Sequence, residues 1–252
     1  QAKNWNKRMN IDTVGKLNRL ILSGEGQNLV QVSETLHELR IGEIAHDILS
    51  RSGIKVVFIS GPSSSGKTST VRRLSTHLQA MGKRTVYVGL DDYYLPCEQC
   101  PRDEKGDYDF EAIEALNLPR IKSDLQSLVE GKVTKIPRFD FVNQRPFPAE
   151  EESSLCLGDD QILLMEGIHG LNPAITEAIP RDKRYAIFVS ALPQLNMDNV
   201  NRVPTTYARL LRRIIRDRRY RGVSADSTIK RWPSVRRGEN KYIFPHQSRS
   251  DA

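Results

Sequence analysis

Apolar residues recur along this chain in two rhythms. Ile11, Val14, Leu17 and Ile21 fall at the three-to-four-residue spacing of one helix face, which predicts a helix over 11–22. Ser23-Gly24-Glu25-Gly26 breaks it. Thr35 followed by Glu38 has the form of a capping box and predicts a second helix starting there. Leu36, Leu39, Ile44, Ile48 and Leu49 supply its apolar face, and Ser52-Gly53 stops it. The stretch 1–52 therefore reads as a helical prefix or linker, separate from a main domain over 53–252.

From Lys55 the rhythm changes. Residues 55–60 form a short, β-branched apolar run, the pattern of a buried parallel strand. A helix is predicted over 68–81 with Gly82 as its stop, then a strand over 84–90. Helices are predicted over 113–118 and 121–129, the second ended by Gly131. Runs 133–136 and 139–142 are strand-like, with Pro137 between them. Further buried strands are expected at 161–165 and 185–189, and a long basic helix at 205–219. This alternation predicts an α/β fold built on a doubly wound parallel sheet flanked by helices. Glu150, Glu151 and Glu152 read as a solvated turn. The tail from Asn240 is polar and interrupted by Pro245. With Gln at position 1 and no closing apolar strand, the natural chain is expected to continue beyond both ends.

Composition excludes several classes. No run approaches the roughly 18 apolar residues of a membrane span, and the basic, polar start has no apolar centre of a signal peptide. Three cysteines, Cys97, Cys100 and Cys156, do not make a disulfide framework and fit the reducing cytoplasm. Cys97 and Cys100 form a lone C-x-x-C without the second pair that a zinc site needs, so an ordinary loop is expected there. The net charge is +7 and arginines gather late, at 209, 212, 213, 216, 218, 219, 221, 231, 236 and 237. That cluster fits a polyanion, and both nucleic acid and nucleotide phosphates satisfy it.

Gly61-Pro62-Ser63-Ser64-Ser65-Gly66-Lys67-Thr68 matches G-x-x-x-x-G-K-[ST] in full, between a predicted strand and a predicted helix. Such a loop curls its amides around phosphate oxygens at a helix N-terminus. Lys67 is placed to reach the β- and γ-phosphates and Thr68 to ligate Mg²⁺. Asp91 and Asp92 follow the second strand, at the sheet edge where ligands bind. A carboxylate there takes a proton from an attacking hydroxyl or holds metal, unless the pair is a solvated turn. Glu166 ends an apolar strand as a Walker-B acid does. His169, just beyond, is left without a role. Arg209, Arg212, Arg213 and Arg216 lie near one helix face. They either close over a triphosphate or form a solvated basic face paired with Asp217.

The span 55–222 resembles the uridine kinase and phosphoribulokinase family of P-loop kinases. The resemblance is carried by the loop 61–68, Asp91-Asp92-Tyr93-Tyr94, Tyr108-Asp109-Phe110-Glu111, residues 136–141, Glu166-Gly167-Ile168 and residues 209–217, in this order and spacing. The prefix and the segment 231–239 resemble a bacterial-type uridine kinase-like branch, often fused to a region similar to the N-terminal part of threonyl-tRNA synthetase. The resemblance implies a P-loop NTPase-type fold with a basic helical lid at about 205–222. It implies phosphoryl transfer from ATP (or GTP), with Mg²⁺, to the 5′-hydroxyl of a nucleoside. Asp91 would act as general base, with Lys67 and Arg213 also catalytic. Gly61, Ser63, Ser64, Ser65, Gly66, Lys67, Thr68, Ser69, Arg212 and Arg216 would hold the nucleotide, and Thr68 and Glu166 the metal. The acceptor would meet Asp91, Tyr93, Tyr94, Glu111, Phe139, Phe141, Gln144 and Arg209. Three positions depart from the family pattern: Gln144 stands in the region where a base-contacting histidine is usual, Glu111 replaces a shorter Asp, and Phe139 lacks a tyrosine hydroxyl. The alternatives are a kinase of another small hydroxyl compound, such as a sugar phosphate or pantothenate, and an inactive nucleotide-sensing or RNA-binding module. The expected partner is a small molecule rather than nucleic acid or membrane, and kinship implies a homo-oligomer.

Overall fold

The computed structural model describes residues 2–252 except Val142, Pro193, Gln194 and Asn199. Three helices lead the chain: α1 (Ala2–Arg8), α2 (Val14–Leu22) and α3 (Gly26–Ser50). Thr13 caps α2, its side chain accepting from the Lys16 amide at 3.3 Å. The capping box predicted at Thr35 and Glu38 does not form. α3 runs unbroken from Gly26 to Ser50, through Gly42, and the Thr35 hydroxyl donates back to the Gln31 carbonyl at 2.9 Å. Glu38 faces a neighbouring helix instead, where it accepts from Arg73 and from His77 Nε2 at 2.7 Å.

Next come β1 (Val56–Ser60), α4 (Lys67–Ala80), β2 (Arg84–Gly89), α5 (Leu118–Val129), β3 (Thr134–Ile136), β4 (Phe139–Asp140), β5 (Arg145–Pro146) and β6 (Ser153–Leu155). The chain continues through β7 (Gln161–Glu166), α6 (Pro173–Thr176), β8 (Arg184–Phe188), α7 (Thr205–Tyr220) and α8 (Ala225–Gly238). The expected helix at 113–118 is only a 3₁₀ turn over Ile113–Ala115. Asn117 ends it by capping α5, accepting from the Arg120 amide, and Pro119 sits in the first turn, where its missing N–H costs nothing. The run 139–142 narrows to β4; its last residue, Val142, lies outside the described residues.

Four strands make the central sheet, all parallel, in the order β2-β7-β1-β8. The pleat sends alternate residues to opposite faces. Val56 and Phe58 of β1, with Leu163 and Met165 of β7, join one apolar cluster with Ile121, Leu125 and Leu128 of α5. Val57 and Ile59, with Ile162 and Leu164, join another with Leu74 and Leu78 of α4 and Ile41, Ala45 and Ile48 of α3. Both faces are thus covered, and the stretch read as a prefix contributes to the second core. β3–β6 and β4–β5 are small antiparallel pairs beside the main sheet.

The polar tail is ordered. After α8 comes a π-helical turn (Glu239–Ile243), then a 3₁₀ segment (Phe244–Arg249). Asp251 accepts from the Ala186 amide and pairs with Arg51 at 2.9 Å, while the Phe188 amide donates to the Ala252 carbonyl. The tail thus finds partners on β8 and at Arg51, just after α3, which composition alone does not show. Among the described residues no helix is long and apolar enough to cross a membrane.

Candidate active site

β1 delivers the chain to a tight loop at the C-terminal edge of the sheet. At Gly61 the backbone presses so close to the Val189 carbonyl that a Cβ would lie 2.1 Å from its oxygen. Gly66 is the N-cap of α4 with φ 108°, a conformation that suits glycine. Ser64 also has a positive φ, 59°. The Ser64 and Ser65 hydroxyls are buried and have no hydrogen-bond partner among the described residues. Buried hydroxyls are ordinarily satisfied, so this pair is suited to receive phosphate oxygens. Lys67 and Thr68 open the first turn of α4, with Ser69 exposed beside them.

Glu166 ends β7 beside this loop. Its Oε2 accepts from the Thr68 hydroxyl at 3.0 Å and from the Tyr87 hydroxyl at 3.3 Å. Its Oε1 lies 3.9 Å from the Lys67 ammonium. Burial holds the Lys67 pKa below its ordinary value, opposed by the charges of Glu166 and Asp91. Burial also raises Glu166, against the Lys67 charge and the two hydroxyl donors.

Beyond β2, residues Leu90–Tyr93 form a 3₁₀ turn. Residues three apart eclipse in such a turn, so Leu90 and Tyr93 both enter the core. Tyr93 therefore does not stand in the cleft as expected. It is 2% exposed, and its hydroxyl donates to Asp124 of α5 at 3.1 Å. Tyr93→Phe should cost about 1 kcal/mol, read as a melting temperature lowered by about 2–4 °C, while turnover stays at the wild-type level. A selective rise in acceptor KM would return Tyr93 to the site.

The two acids on this turn differ. Asp92 accepts from the Phe139 amide at 3.3 Å and is raised by burial. Among the described residues none donates a hydrogen bond to Asp91, whose charge acts on Lys67, Glu166, Tyr94 and Glu111. The Tyr94 hydroxyl donates to the Phe110 carbonyl, and its ring packs on Phe139 with centroids 5.7 Å apart. Phe139 in turn meets Phe141 edge-on at 5.2 Å. Phe141 is exposed, with the Arg221 guanidinium 6.0 Å from its ring centroid. Gln144 is exposed in the β4–β5 turn, at φ 53°.

Glu111 sits between the acids and the arginines. Burial pushes its pKa up to about 7, opposed by the Arg213 charge and reinforced by Glu239, Asp91 and Asp109. A raised carboxylate binds its proton more tightly folded than unfolded. That stabilisation is complete below the ordinary value of 4.5 and is lost as pH rises through about 7. Glu111→Gln removes the loss, so the variant's melting temperature should rise relative to wild type between pH 4.5 and 7. A difference that stays constant with pH would show that Glu111 titrates normally.

The arginine helix α7 lies against the phosphate loop. Arg212 Nε donates to the Ser64 carbonyl at 2.9 Å, and Arg213 Nη1 to the Ser63 hydroxyl at 2.8 Å. Arg216 pairs with Asp217 at 2.8 Å. Burial alone would raise Asp217, yet Arg216 and Arg213 hold it below the usual carboxylate range. Arg209 is not available to an acceptor. It is 2% exposed and forms a two-pronged pair with Glu239, while Nη1 also donates to the Ser63 carbonyl at 3.1 Å. Glu239 is the residue that reading the sequence missed. Its only local signal is an acid three positions after Arg236, an ordinary helix-surface pair; its other partners, Arg209 and Ser63, come from segments far away in the chain.

The structure thus gathers Lys67, Thr68, Glu166, Asp91, Glu111, Arg212 and Arg213 at one edge of the sheet, with Tyr94, Phe139 and Phe141 alongside. The chain is similar to known proteins. The family model described as phosphoribulokinase / uridine kinase family matches residues 56–252. A uridine kinase of Saccharomyces cerevisiae is 28% identical over 200 residues, covering 78% of this chain and 36% of the relative. A uridine kinase of Mycoplasma genitalium is 26% identical over 180 residues, covering 71% and 74%. The chain thus spans about a third of the yeast protein's length and about three quarters of the mycoplasma one's. The solved D-glycerate 3-kinase from Cryptococcus neoformans superposes with a TM-score of 0.55 at 13% identity, over 82% of this chain and 89% of its own, which establishes a shared fold. With nearly four-fifths of its length matched, the chain belongs to the phosphoribulokinase / uridine kinase family.

Proposed function

We propose that this protein transfers the terminal phosphoryl group of ATP to the 5′-hydroxyl of a nucleoside. The observation that carries the reading is the meeting of two halves. Among the described residues, a phosphate loop with two unpartnered buried hydroxyls lies close enough to Asp91 for its charge to act on Lys67, and none donates a hydrogen bond to that carboxylate. In-line transfer needs that pairing, a cradle for the phosphates and a base for the incoming hydroxyl.

The loop amides other than that of Ser63, the Ser64 and Ser65 hydroxyls and Lys67 hold the phosphates. Asp91 takes the hydroxyl proton as attack begins. Arg212 and Arg213 neutralise charge developing on the transferred group and, with the α7 lid, exclude water. Thr68 and Glu166 would hold Mg²⁺. Their oxygens are hard donors 3.0 Å apart, and Mg²⁺ is commonly held by one or two carboxylates together with substrate phosphates. The ion supplies charge neutralisation when bound. GTP fits the phosphate contacts equally, so the donor base belongs to the same test.

Tyr94, Phe139, Phe141 and Glu111 form the acceptor side, and here the chain departs from the pattern of its relatives. The exposed Gln144 and the hydroxyl-free Phe139 favour a second reading on the same machinery, a non-nucleoside acceptor such as a sugar phosphate or pantothenate. An inactive RNA-binding module has less support, since a pure binder has no use for Asp91 held free beside Lys67. Under either kinase reading the partner is a small molecule in the cytoplasm. The test is ADP release from ATP and Mg²⁺ against uridine, cytidine, purine nucleosides, ribulose 5-phosphate and pantothenate. Turnover on one nucleoside supports the proposal. Turnover on a sugar phosphate or pantothenate alone supports the second reading, and tight ATP binding without any turnover supports the inactive module.

A further inference from the structure

Ser63, the third residue of the phosphate loop, has every polar group committed, and always to the same C-terminal assembly. Its amide donates to Glu239 Oε1 at 3.1 Å. Its carbonyl accepts from Arg209 Nη1 at 3.1 Å, and its hydroxyl from Arg213 Nη1 at 2.8 Å. Glu239 itself is fully buried. It accepts from both prongs of Arg209, with the Nη2 bond at 2.8 Å, and from Arg236 Nη1 at 2.6 Å. Among the described residues the neighbouring hydroxyls of Ser64 and Ser65 have no partner. Ser63 is therefore pinned, while the hydroxyls of the next two residues remain available to a ligand.

The turn that carries Glu239 also touches the acceptor side. Gly238 packs so tightly on Glu111 that a Cβ at 238 would lie 2.3 Å from the Glu111 Cβ. The pair Gly238-Glu239 thus spans from the acid of the acceptor side to the backbone of the donor loop. Arg209 lies one turn before Arg212 and Arg213 on α7, so the same carboxylate also registers the arginine helix against the loop.

We propose that Glu239 is a positioning residue for phosphoryl transfer, holding the phosphate loop and the base of the arginine helix in the register that binds the triphosphate. This rests on the kinase reading above, but its test needs no acceptor. A carboxylate completes the arrangement because it can satisfy two guanidinium groups and a backbone amide at once. A glutamine keeps the length but replaces one oxygen with a donor facing arginine. Arg209→Lys keeps the charge and loses the fork.

The test measures MgATP affinity by calorimetric titration of the full chain, with circular dichroism and thermal melts on each protein. Glu239→Gln and Arg209→Lys should weaken MgATP binding by about tenfold or more, while Arg236→Met, which touches the carboxylate but not the loop, should stay within about threefold. Melting temperatures that fall in all three variants with MgATP affinity unchanged would reduce Glu239 to a structural role and overturn the proposal. If both loop variants fail to fold, hydrogen exchange on the wild-type chain decides. MgATP should raise protection over 236–243 together with 61–68, and protection confined to 61–68 would overturn it. A wild-type chain that does not bind MgATP at all would instead sink the kinase reading, so the two failures are distinguishable.

Discussion

Asp91→Asn is expected to lower turnover by about 10²–10⁴-fold, the usual contribution of a positioned general base, while MgATP affinity stays within about twofold. The expectation follows from the geometry of the 3₁₀ turn after β2. Its inward residues, Leu90 and Tyr93, anchor the turn in the core, which leaves Asp91 outside it, with no hydrogen-bond donor among the described residues. Asp92 differs, in that its Oδ1 already accepts from the Phe139 amide. Asparagine keeps the shape and removes the basicity, so a loss in kcat without a loss in nucleotide affinity separates proton transfer from binding. Full turnover in the variant would assign the base elsewhere, and an equal loss from Asp92→Asn would show that the pair acts together.

Lys67→Ala is expected to lower kcat by at least about 10²–10³-fold, the scale found when one group stabilising transition-state charge is removed. It should weaken MgATP binding as well, unlike Asp91→Asn. The ammonium lies 3.9 Å from Glu166 in a buried setting, so its removal also leaves that carboxylate without its nearest cation. Glu166 is already raised by burial, and losing Lys67 should raise it further. An unchanged kcat would remove Lys67 from the chemistry.

The placement of the glycine-rich loop and the two strand-end acids was legible in the sequence because its geometry is local. Eight consecutive residues from Gly61 to Thr68 specify the loop, and the apolar runs before Asp91 and Glu166 place both acids at one sheet edge. Two of the residues expected to meet the acceptor are taken up by tertiary contacts instead. Tyr93 is a residue that could face either way, and the period of three in a 3₁₀ turn, rather than the period of two in a strand, turns it inward. Arg209 shares a helix face with Arg212 and Arg213, yet only it meets Glu239, a partner thirty residues away. In the fold, the box at Thr35 and Glu38 satisfied a local rule but lost to an uninterrupted helix, whose apolar residues Ile41, Ala45 and Ile48 are held by the sheet's second face. The C-terminal turn escaped for the opposite reason. Its polar residues read as tail, and only their distant partners make them interior.

The strand order β2-β7-β1-β8 also bears on how the chain is made. β1 is central and apolar, but both of its neighbours lie more than a hundred residues downstream, with Val56 beside Leu163 and Arg184. At about 5–20 residues per second, a ribosome needs roughly 5–20 s to supply the first of them. For that interval Val56-Val57-Phe58-Ile59 has emerged without either flanking strand, a segment of the kind that holdase chaperones retain and that seeds aggregation when they are scarce. The arrangement that brings Lys67 and Glu166 together thus makes the yield of soluble protein sensitive to translation speed and chaperone supply, independently of how stable the finished sheet is.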